Sequence, residues 1–426
     1  MFALFVGAAV AAAAAASPVI RPPIDVLMIG VDDLRPELAG PYGQGEHVQT
    51  PNLARLAARS VTFGAAYCQY ALCGPSRASL LTSIRPDYSR VWTIGPDFRD
   101  TMGGDAPGQR GGAHVVTLPM HFKRSGYHAS GAGKIFHPGT SSGSPGWKSQ
   151  GGGDGGWPFN ATGSWSEPYF FCDEFYNASF QSPANADYPG ARAARAGCVQ
   201  SDACNACLTA AGSMSEKGKP SHSGGDCPDS CYPDGAVADE IVARLAKIGA
   251  ARRAGDATPF FLAAGFKRPH LGWFAPQKWF DMYPPNATSI AKHTAPPPGM
   301  PHAAFTDGQF EICGMSDVTC GTINGTDYPA LPLARHAEMR AAYYAVVSFM
   351  DSQLGRVLDA LDEAGLAEST AVAFWGDHGA YCCCCCSLLL LAAAARCCCS
   401  LLLLAAAGRC GLLLATCCVF CACGRL

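Results

Sequence analysis

Charge is scarce in this chain. Only 15% of its 426 residues are Asp, Glu, Lys or Arg, and the 31 basic and 34 acidic residues nearly cancel to a formal net charge of −3. A nucleic-acid surface needs a basic excess, so no nucleic-acid partner is expected. Long uninterrupted apolar runs are missing too. The first, "MFALFVGAAVAAAAAAS", stops at Pro18, and Arg396 and Arg409 break up the apolar tail. A membrane span needs about 20 apolar residues, so a membrane partner is not expected either. The leading run has no basic start, but its length and small-residue end read as a signal peptide over residues 1–17.

What is abundant is glycine, proline and cysteine, at 48, 31 and 23 residues. Thirteen of the cysteines fall between Cys382 and Cys423. N-x-[ST] triplets at Asn160, Asn177, Asn286 and Asn324 agree with passage through the secretory pathway, to the outside or to lysosomes. Between about 140 and 235 a Gly/Ser-rich stretch leads into Cys172, Cys198, Cys204, Cys207, Cys227 and Cys231. The spacing of the last four also suits a zinc ribbon, but in an oxidising compartment disulfides are favoured, with 15 pairings open to six cysteines. Cys313 and Cys320 are expected to form a short-loop disulfide, and Cys68 to be a buried small hydrophobe.

Strand and helix patterns alternate along the chain. "IDVLMIGVDDL" (24–34), "PFFLAAGF" (259–266) and "TAVAFWGDHG" (370–379) read as strands. The amphipathic runs 235–251 and 336–365 read as helices, and 117–139 reads as helix, strand and loop. This predicts an α/β fold with a mostly parallel sheet, whose ligands bind beyond the strands' carboxyl ends. Asp32 and Asp33 end the first strand, and Asp377 and His378 end the last. A single Asp there commonly caps the next helix. Two adjacent acids instead call for a counter-charge, which a hard divalent cation supplies.

The stretch "CGPSRASLLTS" (73–83) resembles the sulfatase signature C-x-P-S-R-x-x-x-L-T-G, with Ser83 in place of the final Gly. "GVDDLRPELAGPYG", "GKIFHPG", "PFFLAAGFKRPH" and "DHG" resemble, in order, blocks of the iduronate-2-sulfatase-like branch, over residues 24–380. The resemblance implies an alkaline-phosphatase-like α/β fold. It also implies a secreted sulfuric-ester hydrolase acting on a sulfated small molecule or glycan, such as a 2-sulfated uronic acid. Cys73 would be oxidised to Cα-formylglycine by a formylglycine-generating enzyme. Its hydrate attacks sulfur and later expels sulfate by re-forming the aldehyde. One calcium ion would be held by Asp32, Asp33, Asp377, His378 and the modified Cys73. Arg77 would steady the diol and the metal carboxylates. Lys134 would bind sulfate, and His137 would assist elimination. Lys267 stands where the branch often has His, as leaving-group acid, while His270 reads as structural.

Beyond residue 381 the repeating "CCCSLLLLAAA" text offers neither the Lys nor the C-terminal subdomain the resemblance calls for. That segment reads as a low-complexity tail (382–426) of artefactual origin. An inactive sulfatase-like protein is therefore the alternative reading. A phosphatase or phosphonate hydrolase of the same superfold would place Thr or Ser at position 73.

Overall fold

In a computed structural model of the chain the apolar runs become strands of one sheet. The structure describes residues 23–36, 47–94, 96, 98–101, 115–137, 163–167, 169–170, 202–211, 220–290, 311–322, 329–379 and 402–405. The strands are β1 (Asp25–Val31), β2 (Val61–Phe63), β3 (His128–Gly133), β4 (Phe260–Phe266), β5 (Thr370–Gly376) and β6 (Leu402–Ala405). Their order across the sheet is β2-β6-β5-β1-β4-β3. The four strands β5, β1, β4 and β3 run parallel. β6 lies antiparallel between β5 and β2, so the tail contributes a strand. The leader, Cys172, Cys198, Asn160, Asn177, Asn324 and any C-terminal subdomain lie outside the described residues.

Both faces of the sheet are covered, which explains why β1 and β4 are unbroken apolar runs rather than alternating ones. Leu27, Ile29 and Val31 point to one side, against Val237, Ile241 and Leu245 of α4 (Pro233–Arg253) and Val346, Met350 and Leu354 of α5 (Leu333–Glu363). Val26 and Met28 point to the other, with Ala78 and Leu81 of α2 (Cys73–Thr82) and, at its margin, Leu118 and Phe122 of α3 (Leu118–Arg124). The result is the expected helix–sheet–helix sandwich.

Two local departures from the sequence rules have visible causes. α1 (Pro51–Ala57) begins after Thr50, yet Thr50 makes no side-chain cap. Asp351 of α5 caps it instead, accepting from the N–H groups of Asn52 (3.0 Å) and Leu53 (2.7 Å) and from Asn52 Nδ2 (3.0 Å). Ser83, the residue that departs from the signature, ends α2 in the left-handed region at φ 60° and ψ 20°. Glycine takes that conformation without a Cβ penalty, so the departure concerns the helix end and not the chemistry at Cys73.

The cysteine region is held by nested bonds, Cys204–Cys231 and Cys207–Cys227, and the Cys313–Cys320 loop also closes as expected. These four cysteines of the former group are thus paired with one another rather than arranged around zinc. Cys68 corrects its expectation: it is half-buried, not buried. Asn286 sits exposed in the short turn Pro285–Ala287, where an acceptor asparagine is accessible.

Two stability outcomes follow from the helix ends. Asp351→Ala should lower unfolding free energy by about 2 kcal/mol in urea denaturation, because buried donors lose their acceptor. Ser83→Gly should raise it by up to ~1 kcal/mol, the penalty an L-residue carries in the left-handed region.

Candidate active site

Four parallel strands end side by side, and each places a predicted site residue at its carboxyl end. The ladder runs one residue past each strand: Asp32 N–H donates to Phe266 O (3.1 Å), Asp377 N–H to Val31 O (3.1 Å) and Lys134 N–H to Gly265 O (2.8 Å). The Lys134 backbone can come this close only because two glycines face each other. A Cβ on Gly265 would lie 2.4 Å from the Lys134 carbonyl, and one on Gly133, at φ +79°, would lie 2.0 Å from Gly265 O.

α2 supplies the remaining parts from beneath. Its first residue is Cys73, and one turn later Arg77 enters the space between β1 and β5 with no exposure at all. Arg77 Nε donates to Asp377 Oδ2 (2.8 Å), one terminal nitrogen donates to Asp32 Oδ1 (3.1 Å), and the other donates to the carbonyls of Lys134 and Ile135. Its guanidinium also lies 5.5 Å from the Trp375 ring centre. Burial opposes its charge, but Asp377 and Asp32 outweigh that and drive its pKa up further. Ser76 fixes the helix to the same strand end by donating to Asp377 O at 2.6 Å.

The three carboxylates are not equivalent. Burial works against a charged Asp32, yet Lys134, whose Nζ donates to Asp32 Oδ2, and Arg77 hold it well below the usual range. Asp377 accepts from Asp33 N–H (3.0 Å) and His378 N–H (2.8 Å), but burial still pushes its pKa up despite Arg77. Asp33 is pushed up to about 8 by burial, opposed by His378 and aided by the charges of Asp32 and Asp377. Its backbone is left-handed at φ 58°, and Tyr343 OH donates to its carbonyl at 2.9 Å. Arg77 and Lys134 thus face three carboxylates in a buried oxygen-rich pocket and do not by themselves keep all three ionised. That donor set fits a hard divalent cation.

Asp32, Cys73, Asp377 and His378 each offer a ligand atom within 4.8 Å of the others. The Asp33 carboxylate stands beside this group, 3.3 Å from His378 Nδ1. His378 Nδ1–H donates to Gly379 O (3.0 Å), and its Nε2 lies 3.0 Å from Cys73 Sγ. Burial lowers the pKa of His378, but Asp377 and Asp33 more than reverse that. Cys73 is outside every disulfide, and burial followed by the charge of Asp32 pushes its thiol well up. An unmodified Cys73 is thus held as a thiol, the form that is a poor nucleophile.

The two loops after β3 and β4 complete the pocket. His137 carries a buried Nδ1 with no partner, and burial, then Lys134, depress its pKa strongly. His270, read from the sequence as structural, places its Nε2 3.9 Å from Asp32 Oδ2 and 3.7 Å from Glu311 Oε2. Its Nδ1–H donates to Leu271 O at 2.5 Å, so Nε2 is the atom facing the carboxylates. Burial, then Lys134, depress its pKa as well. Lys267 is buried and anchored through its N–H to Asp234 Oδ1 (2.7 Å), and its charge adds to the depression of His270. Asp234 also accepts from Arg268 N–H (2.8 Å), which sets the whole turn on the first turn of α4. Sequence reasoning passed over Glu311 and Tyr343, and read His270 only as structural. For His270 the available signal was its place just past a buried strand's carboxyl end.

Residues 25–382 match the family model described as Sulfatase. The chain is 31% identical over 356 residues to iduronate 2-sulfatase of Homo sapiens, covering 84% of this chain and 54% of that protein. It is 30% identical over 364 residues to a sulfatase of Formosa agariphila, covering 83% and 58%. The chain thus spans about half the length of the curated relatives it matches. Among solved structures, the phosphonate monoester hydrolase of Agrobacterium radiobacter aligns with a TM-score of 0.54 at 18% identity, over 90% of this chain and 68% of that one.

The electrostatics give two measurable outcomes. Arg77→Met should lower stability by about 3–5 kcal/mol, because Asp32 and Asp377 are left buried without their shared partner. Arg77→Lys should recover only part, since one ammonium cannot reach both carboxylates and the loop carbonyls. Asp33 binds a proton in the folded state at pH values where the unfolded carboxyl has lost it, and above about 6.5 the depressed His137 and His270 no longer oppose this, so metal-free protein should lose stability as pH rises from about 6.5 to about 8. Urea midpoints across that range in chelator check the sign.

Proposed function

Because the chain belongs to the sulfatase family, we propose that its Cys73 pocket hydrolyses a sulfuric ester, with a sulfated sugar as substrate. The observation that carries this reading is the joining of Asp32, Asp377, Cys73 and Lys134 around the buried Arg77. A 2-sulfated uronic acid is the proposed sugar, on the strength of the likeness to iduronate 2-sulfatase.

Asp32, Asp33, Asp377 and His378 would hold calcium beside residue 73. Calcium would supply positive charge to the ester oxygens, and a Cα-formylglycine made from Cys73 would supply an oxygen nucleophile in its hydrated form. The chain's own groups do the rest. Arg77 keeps the two carboxylates fixed whether or not substrate is bound, so little reorganisation is needed at the moment of reaction. Lys134 directs its ammonium into the pocket and binds a sulfate oxygen. His137 offers Nδ1, the buried nitrogen left without a partner, to the group at position 73.

Lys267 stands as the acid for the departing alcohol, while His270, held neutral with its proton on Nδ1, turns Nε2 towards the carboxylates as a positioning group. The modifying partner is a formylglycine-generating enzyme. The route is the secretory pathway, ending outside the cell or in lysosomes, with Asn286 as a glycan acceptor.

The test is sulfate release from a chromogenic aryl sulfate by protein made in cells that carry the modifying enzyme. Peptide mass spectrometry should show the Cys73 thiol replaced by an aldehyde or its hydrate. Cys73→Ala should abolish release while leaving circular dichroism unchanged. Asp377→Asn should lose both calcium binding and turnover. Lys267→Ala should lower kcat about 100-fold and His270→Ala less; the reverse order would give the acid role to His270.

A further inference from the structure

Around the first turn of α2 the surface carries large apolar side chains that the core does not take in. Tyr67, Tyr70, Trp92 and Ile94 are 46%, 38%, 43% and 41% exposed. The rings of Tyr70 and Trp92 meet edge to face, with centroids 5.8 Å apart. Backbone geometry ties both rings to the residue that carries the chemistry. Leu72 N–H donates to Tyr70 O at 2.9 Å, so the chain doubles back immediately ahead of Cys73. On the other side Gly74 has no room for a side chain, since a Cβ there would lie 2.8 Å from Thr93 O and 3.1 Å from Ile94 Cα. Residues 93 and 94 are therefore pressed onto the residue that follows Cys73.

We propose that Tyr70 and Trp92 form a stacking platform for the sugar ring that bears the scissile sulfate, an inference that rests on the sulfatase reading of the pocket. The buried, charged part of the site suits the sulfate group and nothing apolar. What leaves that site is the carbon framework attached to the ester oxygen, which for a pyranose is a ring with an apolar C–H face and polar edges. Aromatic rings with a polar tip match such a surface, the face by packing and the edge through the tyrosine hydroxyl and indole N–H. A protein partner or a second copy of the chain fits less well, because a stable interface buries about 800 Å² on each side. Two rings flanked by Tyr67 and Ile94 offer far less than that.

The test separates binding from turnover. In a Cys73→Ala background, a disaccharide carrying a 2-sulfated uronic acid is titrated while tryptophan fluorescence and calorimetry report binding. Trp92→Ala and Tyr70→Ala should each weaken Kd by about tenfold with no change in thermal midpoint. Tyr88→Ala, which removes a ring 70% exposed and stacked on Arg85, should change Kd less than twofold. The desulfated disaccharide should bind the Cys73→Ala protein far more weakly. Unchanged Kd in both platform variants, an equal loss in Tyr88→Ala, or no binding at all would overturn the proposal. So would a dimer, seen by size-exclusion chromatography, that only the platform variants dissolve. Sulfate release by the unsubstituted protein is scored separately. Platform-dependent binding without release would sink the sulfatase reading and leave the platform standing, while release without platform dependence would do the reverse.

Discussion

Arg77 is the constraint on which the site rests. Three carboxylates brought to two neighbouring strand ends and shut away from water would repel one another and favour protonation. A guanidinium meets this because its donors point in fixed, separate directions: one to β5's Asp377, one to β1's Asp32, and the rest to the carbonyls that follow β3. The same group therefore ties α2 to three strands at once. Its flat face has Trp375 alongside, and Gly30 leaves the space for that indole, since a Cβ there would lie 2.9 Å from the ring. The position of Cys73 follows from this clamp, one helical turn away on the same short helix.

Much of this arrangement was legible because buried parallel strands leave a plain trace. "IDVLMIGVDDL", "PFFLAAGF" and "TAVAFWGDHG" are apolar but for Asp25 and Thr370 up to the acids at which two of them stop, so strand, sheet type and site edge could be read together. Arg77 was legible from its spacing to Cys73. His270 was not, because its role depends on a turn built from distant parts. Asp234 receives the N–H groups at 267 and 268, Trp273 Nε1 donates to Pro269 O (2.8 Å), and Trp273 N–H donates to Ser221 O (2.8 Å). None of these partners shares a local pattern with "KRPH". The αL backbone of Asp33 was hidden for the same reason, since Tyr343 supports it from a helix more than three hundred residues away.

The cysteine-bearing region joins this support rather than standing apart from it. Its bonds fasten the helix Asp202–Ala210 to the loop Cys227–Cys231, immediately before α4 begins at Pro233. The strand His222–Gly225 then pairs in parallel with Trp273–Pro276, the segment that follows the His270 turn. Asp317, inside the Cys313–Cys320 loop, accepts from Ser221 N–H (2.6 Å) and Oγ (2.7 Å). Glu311, just ahead of that loop, faces His270. Pairing could not be chosen from spacing alone, because zinc and disulfide frameworks share it.

The placement of β1 at the centre of the sheet sets a timetable for synthesis. Its hydrogen-bonding neighbours are β4 and β5, so the first strand made must wait for Phe260–Phe266 and then Thr370–Gly376. At roughly 5–20 residues per second, that wait is on the order of tens of seconds. During it Asp377 is absent and Arg77 lacks one of its two carboxylate partners, so the enclosure of Cys73 is incomplete. Once β5 docks, the residue is closed off at 5% exposure. An enzyme acting on Cys73 would thus have to reach it before β5 docks, a deadline fixed by the chain's own strand order.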